Sequence, residues 1–183
     1  RERLWTVDPI DGTQAFVLGS PVSTFCIALI VNGKPVLGVI YDPHQDRLFR
    51  ALEGQGSFVN DQPITISDET EVAQNFVILS SRLVGSPMTN GLLYDAIDQS
   101  KGKVFNFRSI AYGMMFVACG RAVAATAGYC GPWDIAPVLI LLTEAGATVT
   151  DFEGNECRYN ENDKGFLATN GHVHDAMLEI LHG

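Results

Sequence analysis

Phe25-Cys26-Ile27-Ala28-Leu29-Ile30-Val31, then Asn32-Gly33, then Val36-Leu37-Gly38-Val39-Ile40-Tyr41, is the stretch that sets the architecture. Two apolar runs joined across Asn-Gly predict a β-hairpin, because that dipeptide accepts the positive φ angles of a tight reverse turn. Arg47 to Ala51 and Gly56 to Val59 extend the hairpin into a meander, with Asn60-Asp61 as its next turn. Antiparallel sheet is therefore predicted through about residue 66. Upstream, Leu4-Trp5-Thr6-Val7 predicts a strand that stops at Asp8-Pro9, and Gln14 to Leu18 a short helix ending at Gly19.

The polar segment Ser67 to Gln74 is predicted to divide a first part, residues 1–66, from a second, residues 67–183, the two packing as one compact unit. Beyond it the pattern alternates. Strands are predicted at Phe76 to Leu79, Val104 to Phe107, Ala122 to Thr126, Ala147 to Thr150 and Gly165 to Ala168. Between and after them, helices are predicted at Met88 to Gln99, Ile110 to Cys119, Trp133 to Ala145 and Val173 to Leu181. Pro137 fits its helix only if it falls in the first turn, where its missing N–H costs nothing. Strands first and alternating elements later imply layered α/β packing.

The chain has 183 residues, 46% of them hydrophobic and 18% charged, enough to bury a substantial interior. A net charge of -9 argues against a nucleic-acid backbone or an anionic membrane as partner. An anionic small molecule still fits if a metal cation reverses the local field. The four cysteines, Cys26, Cys119, Cys130 and Cys157, form no C-x-x-C pair and are read as reduced thiols. No apolar run reaches the roughly 18 residues of a membrane span, and no signal-peptide pattern opens the chain. A cytoplasmic protein is expected. Because the chain opens at Arg1, it is also expected to be a trimmed form of something longer.

The chemistry begins at Asp8-Pro9-Ile10-Asp11-Gly12-Thr13. Two carboxylates in so tight a turn repel each other unless a cation lies between them. Carboxylate and carbonyl oxygens suit Mg²⁺, so Asp8, the Ile10 carbonyl and Asp11 are candidate ligands. Gly12 lets backbone N–H groups approach an anion, and Thr13 sets a hydroxyl beside it to orient an attacking water. A capped turn is the plainer reading of Asp-Pro-x-Asp-Gly taken alone. A further oxygen ligand must come from elsewhere, and Asp134, in Trp133-Asp134-Ile135-Ala136-Pro137, is the candidate, although its charge also suits a helix N-terminus.

The string Asp8-Pro9-Ile10-Asp11-Gly12-Thr13, with Phe16 three residues on, resembles the first metal-binding signature of the inositol monophosphatase family. Trp133-Asp134, opening a helix that runs to Glu144-Ala145-Gly146, resembles the second signature. Val117-Ala118-Cys119-Gly120-Arg121 is similar to the family's Val-Ala-x-Gly segment. The resemblance runs from Trp5 to nearly the C-terminus. It implies an α/β/α/β/α sandwich and Mg²⁺-dependent hydrolysis of a small phosphate monoester. It also implies two or three Mg²⁺ ions on Asp8, Ile10, Asp11 and Asp134, with Asp8 and Thr13 catalytic. Gly12, Thr13, Ser109 and Asp134 would contact the substrate, a small phosphorylated metabolite. A homodimer and lithium inhibition follow as further implications.

Departures from the family pattern bear on substrate. The family's Glu-Glu pair and upstream Asp precede the first signature and lie outside this sequence, so weak metal binding is expected of the chain alone. Val123 and Ala127 stand where inositol-cleaving members carry acidic residues. Gly19-Ser20-Pro21 and Tyr112-Gly113 are closer to histidinol-phosphate phosphatases, although the acidic residue expected near Ile110 is absent. Arg108, in place of a glycine, could meet a second anionic group such as that of a nucleotide bisphosphate, or form a surface salt bridge. Two rivals remain. Ser80-Ser81 with His172 and His174 invites a Ser-His-Asp hydrolase, but no G-x-S-x-G elbow exists and both histidines read as solvated turn residues. The other is a non-catalytic metal- and phosphate-binding relative.

Overall fold

The computed structural model describes residues 2–80, 89–160 and 165–183. Six strands form the first sheet: β1 (Arg3–Asp11), β2 (Thr24–Val31), β3 (Lys34–Asp42), β4 (Arg47–Leu52), β5 (Ser57–Val59) and β6 (Gln62–Ile64). They lie in chain order, each antiparallel to its neighbour. Both predicted turns form as read. Asn32 and Gly33 take φ of 53° and 82°, and Asn60 and Asp61 take 44° and 63°, the left-handed pair of a tight hairpin turn.

A second, mixed sheet has the order β10-β11-β9-β7-β8, built from β7 (Phe76–Leu79), β8 (Lys103–Phe105), β9 (Ala124–Ala127), β10 (Thr148–Thr150) and β11 (Phe166–Thr169). Its β7 runs parallel to β8 and β9, while β11 is antiparallel to β9 and β10.

Between the sheets lie α3 (Ile110–Ala118) and α4 (Pro132–Glu144), whose apolar residues build the main core with Cys26, Ile40, Phe49, Ile78, Ala125 and Phe166. Gly38 lets α4 rest on β3: a β-carbon there would come within 2.7 Å of the Pro137 carbonyl oxygen. On the far side of the second sheet, α2 (Asn90–Gln99) and α5 (His174–His182) bury Leu93, Ile97, Met177 and Leu181 against Val77, Leu79 and Leu167. The described residues thus stack as sheet, helices, sheet, helices, four of the five layers expected. The outer face of the first sheet is apolar as well, with Trp5, Val7 and Phe25 at 55%, 47% and 38% exposure.

The structure differs from the sequence reading in several places. Strand β1 does not stop at Asp8-Pro9 but runs to Asp11. It accommodates Pro9 in a bulge: Asp8 pairs with Cys26 and Asp11 with Thr24, so β1 carries one residue more than β2 between those pairs. Pro137 lies in the second turn of α4, whose first residue is Pro132, which leaves the Trp133 carbonyl without its usual i+4 donor. His174 is not a solvated turn residue. It is buried, bonded to Thr169 Oγ1 at 2.9 Å and Thr150 Oγ1 at 3.1 Å, and burial lowers its pKa. Met88 and Ser81 fall outside the described residues. The four cysteines are free, and three of them are buried.

Candidate active site

The bulge in β1 positions the first two carboxylates. In a regular strand, residues three apart point to opposite faces. The extra residue between Asp8 and Asp11 cancels that alternation, so both side chains turn to the inner side of the sheet. The bulge is held by its own bonds: Ile10 N–H donates to Asp8 Oδ1 at 2.9 Å and Thr13 Oγ1 donates to the Ile10 carbonyl at 3.0 Å. Gly12, at φ 82°, then turns the chain into α1 (Thr13–Val17). A β-carbon at Gly12 would come within 2.7 Å of the Val22 carbonyl oxygen and 2.9 Å of Ser109 Cβ, so only glycine fits that turn.

The third carboxylate arrives from the helical layer. Asp134 sits in the first turn of α4 and accepts a hydrogen bond from the Gly131 N–H at 2.7 Å. One oxygen each of Asp8, Asp11 and Asp134 lies within 4.8 Å of the others. Burial is the main reason that Asp134 holds its proton up to about 7, opposed by the Gly131 N–H and reinforced by Asp11 and Asp8. Burial likewise raises the pKa of Asp11, against the Ser109 hydroxyl and the Ile110 and Ala111 N–H groups, with Asp8 adding repulsion. Three carboxylates this close, two of them pushed toward the neutral form, leave a place that a hard cation would stabilise by restoring their charge. The donor set is all oxygen, which fits Mg²⁺ and excludes a soft-metal site.

Above the cluster opens a pocket of about 360 Å³ lined by Asp8, Ile10, Asp11, Gly12, Thr13, Gln14, Ser80, Arg108, Ile110, Trp133 and Asp134. Every residue expected at the metal or the substrate lines it except Ser109. That serine lies beneath the pocket, 1% exposed, donating to Asp11 Oδ2 and accepting the Tyr112 N–H as the N-cap of α3. It therefore holds Asp11 rather than presenting its hydroxyl to the pocket. Arg108 takes φ 61° and donates from Nε and Nη2 to Gln14 Oε1, bridging α3's leading edge to α1. Among the described residues it forms no salt bridge. Val123 and Ala127 are buried in the second sheet at 2% and 0% exposure. Sequence reasoning passed over Gln14 and placed Ser80 in a different chemistry; adjacency to Thr13 was the only signal for Gln14.

A sequence profile described as the inositol monophosphatase family matches residues 1–183. The chain belongs to that family. Inositol monophosphatase 1 of Solanum lycopersicum is 34% identical over 187 residues, covering 98% of this chain and 67% of the relative. A histidinol-phosphatase of Chlorobaculum parvum is 35% identical over 156 residues, covering 84% of this chain and 59% of the relative. The solved structure of inositol monophosphatase from Anabaena (Nostoc) superposes with a TM-score of 0.89 at 34% identity, covering 99% of this chain and 75% of that one. The inositol monophosphatase family is metal-dependent, and its members are phosphoric monoester hydrolases. This chain is accordingly a phosphatase with an acidic cluster able to hold a metal. No helix among the described residues is long and apolar enough to cross a membrane.

Proposed function

We propose that the chain catalyses Mg²⁺-dependent hydrolysis of a small, inositol-phosphate-like monoester by direct attack of water. The convergence of Asp8, Asp11 and Asp134 beside Gly12 and Thr13 carries this reading. Two or three Mg²⁺ ions would be held by Asp8, the Ile10 carbonyl, Asp11 and Asp134. When bound, they neutralise the ester's charge and lower the pKa of the attacking water. The chain's own residues supply position. Thr13, whose proton is committed to the Ile10 carbonyl, keeps its lone pairs for the water and orients it. Gly12 lets the backbone come close to the phosphate oxygens, and Ser109 fixes Asp11 from below. Asp134 reaches the substrate side of the pocket from α4.

Histidinol phosphate is the alternative ester, supported by the Chlorobaculum relative's name. A nucleotide bisphosphate such as 3'-phosphoadenosine 5'-phosphate is a further one, supported by Arg108 in the pocket wall. A cytoplasmic homodimer completes the reading, and the apolar outer face of the first sheet supports association.

Phosphate release from inositol 1-phosphate, histidinol phosphate and the bisphosphate, with and without Mg²⁺, tests the reaction. Asp8→Asn is expected to abolish both turnover and the thermal stabilisation given by Mg²⁺. Stabilisation that survives the change would overturn the ligand assignment. Wild-type protein that Mg²⁺ stabilises but that cleaves none of the three esters would be a non-catalytic binding relative instead.

A further inference from the structure

The turn between β3 and β4 is built around a buried carboxylate. Asp42 is 0% exposed, and its Oδ1 accepts the His44 N–H at 3.0 Å and the Gln45 N–H at 3.2 Å. Its Oδ2 accepts from Arg47 Nε at 3.2 Å and Nη2 at 2.8 Å. A buried charge satisfied in this way fixes the segment around it, because rearranging the turn would strand the carboxylate without partners. His44, Gln45 and Arg47 are therefore presented in set positions.

These side chains reach the neighbours of Asp11 from two directions. Gln45 Nε2 and Arg47 Nη2 donate to the Tyr112 hydroxyl at 2.6 Å and 3.1 Å. Tyr112 belongs to the first turn of α3, and its N–H donates to the Ser109 cap at 3.1 Å. The other donors of that turn, the Ser109 hydroxyl and the Ile110 and Ala111 N–H groups, all go to Asp11. From the second direction, His44 Nε2 lies 3.0 Å from Ser23 Oγ, and the next residue, Thr24, donates its hydroxyl to Asp11 Oδ2 at 3.3 Å. One turn thus braces both the start of α3 and the start of β2 around a single carboxylate. Tyr112 itself is 6% exposed, packed on Phe107 and Phe116 with ring centroids 5.0 Å and 5.8 Å away, and stands apart from the lining of the acidic pocket.

We infer that Tyr112 is a positioning residue of the metal site: its hydroxyl, held by Gln45 and Arg47, fixes the first turn of α3 and through it the Asp11 carboxylate. Hydrogen bonds weaken steeply as their angle opens, so the N–H groups of that turn serve Asp11 only while the helix start keeps its place. Outer partners that orient a ligand carboxylate set metal affinity without touching the ion. The inference rests on the reading of Asp11 as a Mg²⁺ ligand and adds the β3–β4 turn to what holds that ligand.

Tyr112→Phe tests it, since the ring and its packing stay and only the hydroxyl is lost. The Mg²⁺ concentration giving half-maximal thermal stabilisation is expected to rise about two- to tenfold, the scale of one hydrogen bond. In the metal-free variant, hydrogen exchange at the Ile110 and Ala111 amides should speed up. Glu144→Ala is the control for stability alone, because Glu144 bonds the Gly54 and Gly56 N–H groups at the other end of α4 and should move neither readout. Gln45→Ala, a change at an exposed residue, should shift both readouts in the same direction by less, and it decides the matter if Tyr112→Phe does not fold. Unchanged exchange at Ile110 and Ala111 would overturn the inference. So would a Mg²⁺ midpoint that moves no further than in Glu144→Ala, which would leave Tyr112 a structural role only. Failure of Mg²⁺ to stabilise the wild type counts against the metal reading; the exchange comparison still decides whether Tyr112 holds the helix start on Asp11.

Discussion

Asp11 and Ser109 stand 98 positions apart in the chain and meet in a hydrogen bond beneath the acidic pocket. The same carboxylate accepts the Ile110 N–H at 3.1 Å and the Ala111 N–H at 3.0 Å. The positive end of α3 therefore closes on a residue of β1, and the helix that joins the two sheets also orients a metal-ligand candidate.

Replacing Ser109 with alanine removes both the N-cap of α3 and a donor to Asp11. Loss of the cap is expected to cost about 1–2 kcal/mol by denaturant unfolding. With one stabilising donor gone, Asp11 becomes harder to ionise, so the Mg²⁺ concentration giving half-maximal thermal stabilisation is expected to rise. Ser109→Thr, which keeps the hydroxyl, should restore most of both. An unchanged Mg²⁺ midpoint in the alanine variant would separate Ser109 from the metal site.

Asp134 gives the metal-free protein a pH dependence of stability. Folded, it keeps its proton up to about 7, against 3.8 for an ordinary aspartate carboxyl. Between those values the folded state binds more protons than the unfolded one, so this residue makes stability fall as pH rises through the window. A cation must displace that proton, so Mg²⁺ stabilisation should grow from pH 5 to about 7 and then level off. Melting curves at fixed Mg²⁺ across that range, set against curves in EDTA, would show it. Asp134→Asn should flatten the EDTA series.

Glu144 ends α4 and accepts the Gly54 and Gly56 N–H groups, each at 2.8 Å, tying the helix to the turn between β4 and β5. Its two bonds are charge-assisted and far from the pocket, so Glu144→Ala is expected to cost about 2 kcal/mol of stability. The Mg²⁺ midpoint should not move. Denaturant unfolding and Mg²⁺ titration on the same sample separate the two effects.

The antiparallel meander of the first sheet and the later helices were legible because the chemistry behind them is local, whereas the order of the second sheet, β10-β11-β9-β7-β8, was not. Asn32-Gly33 and Asn60-Asp61 can take paired positive φ angles, and the apolar run of Ile110 to Ala118 stops where Gly120 reverses the chain. The bulge was not legible. A proline after Asp8 reads as the end of a strand, and only pairing with β2 shows the strand continuing around it. Asp8, Asp11 and Asp134 were found through their motif, whereas the role of Ser109 depends on a contact no local pattern encodes. His174 misled for the same reason: its partners, Thr150 and Thr169, come from two strands that its own neighbours do not announce.

Arg108 bears on substrate charge. Arg108 lines the same pocket as the carboxylates and its guanidinium is held by the neutral Gln14, so among the described residues no salt bridge cancels its charge. A ligand with a second anionic group would gain from it. The residue is exposed, so water and salt screen the gain to about 1 kcal/mol or less, a factor of roughly three to five. Arg108→Gln is therefore expected to raise KM by that factor for 3'-phosphoadenosine 5'-phosphate while barely changing KM for a monoester whose alcohol is uncharged. Because the effect is electrostatic, it should shrink when KCl is raised from 50 mM to 500 mM. A loss equal on both esters and insensitive to salt would assign Arg108 to holding α1 through Gln14, since that contact serves every substrate alike.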